Sequence, residues 1–372
     1  MPPGRARYVF LVPWAIAPGS GVNAVVLGLA EAMRATYEPV FVVTGWDAPP
    51  PSQAWLKLPV PAPRLRDALG FLARLAPNLV RLRMATQGAV GVNPHFVGLE
   101  LLPLLLLRRL RLCPRVILSV HGADVAEAGS SSRWMRALFA WMLSSADLVV
   151  ACSHALAAQV RLLSPSARVV AVWNAVPPGP EPPLPPRPID ARYVICVAHF
   201  VKKKAHDVLL RAFQTVAREQ PDLQLVLIGG EGPEREAVMS LIAALGLARN
   251  VDVMVNVPRD EVWRWISHAE CLILPSRDEP FGLVLLEAAV ANTPVVATRV
   301  GGVPEFFTDK VHGLLCEPDR SDEMAQAVLT TLADRAATEV RTRAFHEQAK
   351  GFTWQRAFAR YRAKAGLSGG PV

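Results

Sequence analysis

Two rhythms alternate along this chain. Short, continuously apolar runs such as "RYVFLVP" from Arg7 and "EPVFVVTG" from Glu38 read as buried strands. Between them "NAVVLGLAEAMRA" carries the spacing of an amphipathic helix. "RVILSVHG", "ADLVVACS" and "ARVVAVWN" continue the strand series, and the later chain adds "YVICVAHF", "LQLVLIGG", "NVDVMVN", "ECLILPS" and "TPVVATRV". Strands that alternate with helices predict an α/β protein with parallel sheets wrapped by helices.

The pattern stops once. "VPPGPEPPLPPRPID", Val176 to Asp190, holds eight prolines in fifteen residues, a density that no helix or central strand survives. This predicts a first domain over residues 1–176, a linker over 177–190 and a second domain over 191–352. Two such domains set the C-terminal ends of their strands toward a shared cleft, the edge where open α/β sheets bind ligands. Within the first domain, "RLRDALGFLARLAPNLVRLR" has helical spacing, and Pro77 is expected to break it into two short helices.

Half of the 372 residues are hydrophobic and 19% are charged, as in a folded globular chain. The N-terminal apolar run is broken by Pro13 and Pro18 and reads as a first strand, not a signal peptide. The greasiest run, Val97 to Leu107, is too short to span a bilayer and contains Glu100. Cys113, Cys152, Cys196, Cys271 and Cys316 are scattered and odd in number, which fits a reducing cytosol better than a disulfide framework. A cytoplasmic protein is expected, or one held peripherally on the inner face of a membrane.

The net charge of +8 is unevenly placed. Nine arginines between Arg64 and Arg115 face only Asp67 and Glu100. Such an excess points to an anionic partner. Nucleic acid is disfavoured, because the arginines interleave with leucine and alanine and Phe71 is the only aromatic platform from Arg64 to Arg83. An anionic membrane surface fits better.

The sharpest chemistry lies in "SRDEPFGLVLLEAAVANTPVVAT", Ser276 to Thr298. From Phe281 to Ala291 the helix is apolar nearly all round, yet Glu287 sits about two turns into it and Glu279 stands in the loop ahead. A carboxylate in such a setting is costly unless paired. Glu279 capping the helix and Glu287 satisfying a nearby arginine would explain both. Three further features sit at the same strand ends. Lys202, Lys203 and Lys204 follow one strand, either as a solvated turn or as a phosphate clamp. "GGEGPEREAV" follows another and is no dinucleotide fingerprint. Gly301 and Gly302 follow a third.

Together these motifs resemble the retaining glycosyltransferases of family 4, with their GT-B fold of two Rossmann-like domains. "EPFGLVLLE" matches the Glu-x7-Glu signature, and "LPS", "TPVVAT", "GGVPE" and "HGLLCEP" match in order. "SGVNAVVLGLAEAM", "SVHGAD", "ACSHALAAQV" and "WNAV" match in the first half, so the resemblance covers nearly the whole chain.

It implies transfer of a sugar from a nucleoside-diphosphate sugar to a glycan or lipid-linked acceptor, without metal or other cofactor. Glu287 would hold the ribose hydroxyls, and Glu279 would sit by the transferred sugar. The amides of Phe281, Gly282 and Leu283 would contact sugar and phosphate. Lys204 would bind the diphosphate, Gly21 would offer its amide to it, and His121 would lie beside the donor sugar. The helix at 353–366 would cross back onto the first domain.

Departures from the family pattern are local. Ala198-His199-Phe200 stands where Gly-Arg-Leu is usual, so the diphosphate arginine is absent; His199, if protonated, or Lys202 or Lys203 would replace it. Ser20, Ala205 and Asn292 each stand in place of a glycine. His95 ends a strand and is a secondary candidate for touching substrate. His154, His268, His312 and His346 read as structural or surface residues, and His206 as a helix start. No cluster has metal-ligand spacing. A sugar-nucleotide epimerase and a non-catalytic sugar-nucleotide-binding protein are the rival readings.

Overall fold

The computed structural model describes residues 6–12, 21–43, 55–57, 68–176 and 186–367. The chain divides into two compact units. One comprises Met1–Asn174 with Trp354–Val372, and the other comprises Ala175–Thr353. The proline-rich stretch at 177–185, residues 13–20 with Pro13, Pro18 and Ser20, and Arg64 and Arg66 lie outside the described residues.

The first unit runs β1 (Ala6–Val12), α1 (Gly21–Met33), β2 (Tyr37–Val43), β3 (Trp55–Lys57), α2 (Ala68–Thr86), β4 (Ala89–Pro94) and α3 (Leu102–Arg109). It continues with β5 (Arg115–Val120), α4 (Ala123–Ser130), α5 (Arg133–Ser145), β6 (Leu148–Ala151), α6 (His154–Leu163) and β7 (Val169–Ala171). The strands form one parallel sheet in the order β3-β2-β1-β4-β5-β6-β7. Tyr8, Phe10, Val26, Met33, Tyr37 and Phe41 build its core, each inaccessible or nearly so. Strands buried on both faces carry unbroken apolar runs, which is why the sequence shows no alternation here.

One expectation fails in α2. Pro77 lies inside a single helix that continues to Thr86. The proline is exposed, so its missing hydrogen bond and its ring fall on the solvent side, while Asn78, Leu82, Ala85 and Thr86 are buried and hold the helix through it.

The second unit runs β8 (Tyr193–Val197), α7 (His206–Glu219), β9 (Gln224–Gly229), α8 (Arg235–Ala244), β10 (Val251–Val255), α9 (Arg259–His268) and β11 (Cys271–Leu274). It ends with α10 (Leu283–Val290), β12 (Val295–Thr298), β13 (Leu314–Cys316), α11 (Ser321–Ala333) and α12 (Arg335–Ala349). Its parallel sheet has the order β10-β9-β8-β11-β12-β13. Leu209, Phe213, Leu225, Leu227, Ile273, Val296 and Met324 fill its core.

The last helix, α13 (Trp354–Ala365), belongs to the first unit and packs on α1. Phe358 and Tyr361 are buried, and the Tyr361 hydroxyl meets that of Tyr8 at 2.6 Å. Gly28 makes this packing possible. A Cβ there would lie 2.1 Å from the Trp354 indole.

Candidate active site

In the second unit β8 and β11 are parallel neighbours, so the loops that leave their C-terminal ends emerge side by side. The β8 loop carries Lys202–Lys204 as a single 3-10 turn, and the β11 loop carries Glu279. The two meet: Lys204 Nζ donates to Glu279 Oε2 at 2.5 Å, with both side chains largely buried. Ser276 Oγ donates to the same carboxylate oxygen at 3.3 Å. A buried carboxylate with two donors is a satisfied one.

Arg277 ties the loops together. Its amide donates to Lys203 O at 2.8 Å and its guanidinium to Lys202 O at 2.9 Å. The same guanidinium grips Asp207 and Asp319, at 2.7 and 2.6 Å. These carboxylates raise its pKa above the usual arginine range, Asp207 most strongly. Nothing in the motif pattern singled this residue out.

Glu279 is also held by its backbone. Gly302 donates its amide to Glu279 O at 3.0 Å, and Gly301 turns with φ +52° to bring it there. A Cβ on Gly301 would stand 2.1 Å from that carbonyl oxygen. Gly282, with φ +95°, then caps α10. No side chain caps the helix, so Glu279 is not the capping residue that its position ahead of it allowed. The amides of Phe281, Gly282 and Leu283 donate to no acceptor among the described residues. At a helix start such amides favour an anion. The Phe281 ring points away into an aromatic cluster, 4.9 Å from Phe306 between ring centres, so only its backbone is offered.

Because α10 starts at Leu283, Glu287 sits one turn in rather than two. Arg259, the first residue of α9, donates to it at 2.6 Å. Burial pushes the Glu287 carboxyl above its usual range, and Arg259 only partly offsets this. Glu287 is thus a costly charge kept at one partner.

The positions that replace glycines explain themselves. Ala205 is left-handed at φ 50° and Asn292, just past the end of α10, at φ 55°. Asparagine tolerates that region, whereas alanine bears a strain of roughly 1–2 kcal/mol. The glycines of "GGEG" serve packing: a Cβ on Gly229 or Gly232 would lie 2.2 or 2.1 Å from the carbonyl oxygens of Ala198 or Phe200. The His199 ring lies over Gly230, where a Cβ would approach it to 2.5 Å. Burial, then Lys204 and Lys203, push the His199 pKa down, so it stands at neutral pH as an uncharged imidazole. The Arg277 guanidinium is committed to its two carboxylates.

In the first unit, Gly21 is the exposed first residue of α1. His121 follows β5, and Asp124 takes the amides of His121, Gly122 and Val125 on one oxygen at 2.9–3.2 Å, fixing the loop. His121 Nε2 lies 3.1 Å from Nδ1 of the fully buried His95. Burial lowers the pKa of His121 to about 4, and burial and His121 lower that of His95. Both line a small cavity with Ser119, Cys152 and Tyr361. Among the described residues no group of three or more His, Cys, Asp or Glu is arranged for a metal, and no helix is long and apolar enough to cross a membrane.

Residues 185–351 match the family model described as glycosyl transferases group 1, and residues 19–179 match that of glycosyltransferase family 4. The chain belongs to glycosyltransferase family 4. Glycogen synthase of Mycobacterium tuberculosis is 28% identical over 252 residues, 64% of this chain and 60% of that protein. The chain therefore spans about three fifths of that relative's length. Among solved structures, sucrose-phosphate synthase from Thermosynechococcus elongatus overlays 97% of this chain and 100% of its own with a TM-score of 0.81 at 21% identity. Anabaena HepE in complex with UDP-glucose covers 97% and 100% with a TM-score of 0.78 at 16% identity. Both show the GT-B fold that the family implies.

Proposed function

We propose that this family 4 chain transfers a glycosyl residue from a nucleoside-diphosphate sugar to an acceptor hydroxyl, with retained anomeric configuration and no bound metal. The observation that carries this is the Lys204–Glu279 contact in front of the unengaged amides of α10, with the Glu287–Arg259 pair one turn behind.

The ribose hydroxyls donate to Glu287, and the diphosphate accepts from Lys204 and from the amides of Phe281 to Leu283. Lysine has three N–H donors, so Lys204 keeps Glu279 in place while it binds phosphate. As the anomeric carbon–oxygen bond breaks, its electron pair leaves with the diphosphate, and these fixed donors stabilise the growing charge. The acceptor oxygen attacks from the same face, and its proton passes to a phosphate oxygen. Glu279 stabilises the cationic sugar without bonding to it. Gly21 and His121 have the phosphate-facing and sugar-facing roles in the first unit. HepE bound to UDP-glucose supports this donor class.

The acceptor is a glycan or lipid-linked glycan, as in polysaccharide or glycolipid assembly. Its membrane setting draws on exposed Arg81 and Arg83 beside Val80 and Met84 on α2, and on exposed Arg109 at the end of α3 with Arg111, Leu110 and Leu112 in the turn that follows; α2 and α3 pack together.

The test is transfer from a panel of nucleotide-sugars in excess EDTA, with the product linkage read by NMR. Persistent activity and a retained anomer are expected. A strict divalent-metal requirement or an inverted linkage would overturn the reading.

A further inference from the structure

His95 and His121 lie 26 positions apart in sequence, at the ends of adjacent parallel strands. Their ring planes are within 13° of parallel, the ring centres are 5.3 Å apart, and Nδ1 of His95 is 3.1 Å from Nε2 of His121. A face-to-face stack brings ring centres closer than that. Nitrogens this near, between nearly parallel rings this far apart, describe two imidazoles joined edge to edge by a hydrogen bond in their common plane.

Two neutral imidazoles make this bond in one of two ways. If His121 donates, the His95 proton must sit on Nε2, which is buried and has no partner among the described residues. An orphaned buried N–H is rare. If His95 donates from Nδ1, its proton is used, and only the Nε2 lone pair is left unpartnered among the described residues. The second arrangement fixes the proton of His121 on Nδ1, an atom in no hydrogen bond among the described residues.

We propose that His95 is a positioning residue, whose Nδ1–H holds His121 as the Nδ1–H tautomer so that this N–H is the donor offered to the sugar. The assignment of a substrate to His121 rests on the proposed function; the tautomer does not. Sequence reading treated the two histidines separately, because nothing in the spacing reveals that one holds the other.

Long-range proton–nitrogen NMR of the full chain with labelled histidine reads the tautomers directly. The expected result is a protonated Nδ1 and a bare Nε2 on His121. His95→Asn, which can place an amide N–H near the same point, should keep that state and near-wild-type turnover. His95→Leu should release it and lower kcat about 10- to 100-fold, as losing an orienting partner does elsewhere, with little change in donor KM. Backbone spectra and the melting temperature confirm that both variants fold. A His121 proton on Nε2 in the wild type, or an unchanged tautomer in a folded His95→Leu, overturns the proposal. Wild-type kcat in that variant also overturns the positioning role, provided transfer is seen. A correct tautomer in a chain that transfers no sugar would instead refute the proposed function and leave the His95 assignment standing.

Discussion

Replacing Gly301 by alanine should disable the site from its backbone. The added Cβ would stand 2.1 Å from the Glu279 carbonyl oxygen and 2.9 Å from its carbon, with φ at +52°. The left-handed conformation costs roughly 1–2 kcal/mol for a residue with a side chain. Relieving the overlap costs about 1–3 kcal/mol more, because the obstacle is backbone and cannot rotate away. In a domain of this size 1 kcal/mol corresponds to about 2–4 °C, so the second unit should melt about 5–15 °C lower.

The displaced carbonyl also releases the Gly302 amide and moves Glu279 away from Lys204. A misplacement of about 1 Å costs on the order of a hundredfold in turnover. Gly246→Ala is the control. It has φ +72° with nothing within 4 Å of the added Cβ, so it carries the strain alone. Scanning calorimetry with a coupled assay for nucleoside-diphosphate release separates the two effects. Equal melting points for the two variants, with full activity in Gly301→Ala, would refute the argument.

Two more outcomes are expected. Because burial holds the folded Glu287 carboxyl above its usual pKa, the folded state keeps that proton more tightly. The stability that this lends is present below the free carboxylate's pKa and lost as pH rises through the folded value. Glu287→Gln should therefore melt at or above wild type at pH 7.5, with the difference vanishing in acid; a variant that melts below wild type at pH 7.5 would contradict this. Sedimentation with anionic vesicles at low salt should retain the wild type. Changing Arg81, Arg83, Arg109 and Arg111 to serine should weaken retention on the order of a thousandfold, at about 1 kcal/mol for each basic chain. A wild type that ignores anionic vesicles would favour a soluble acceptor.

The strand-and-helix alternation was legible because central parallel strands are buried on both faces and leave long apolar runs. β13, three residues long, is too short for such a signal and was visible only inside the motif "HGLLCEP". Pro77 misled because propensity was weighed without the burial that overrides it. The acids and Lys204 stood out by spacing, yet their partners did not. Arg259 lies 28 positions from Glu287, and Arg277 lies 70 from Asp207; only the register of neighbouring strands and helices brings them together. The pairing of Glu287 with an arginine was one open reading of its burial, and the structure supplies that arginine without excluding a ribose at the same carboxylate.

The most direct measurement compares kcat and donor KM for wild type, Glu279→Gln and Glu287→Gln on whichever nucleotide-sugar the wild type turns over. Glu279→Gln should lower kcat with donor affinity nearly kept. Glu287→Gln should weaken donor binding with kcat nearly kept, by roughly 1.5–3 kcal/mol for a lost charge-assisted hydrogen bond. Wild-type turnover and donor affinity in both folded variants would contradict the assignment of this edge as the donor site.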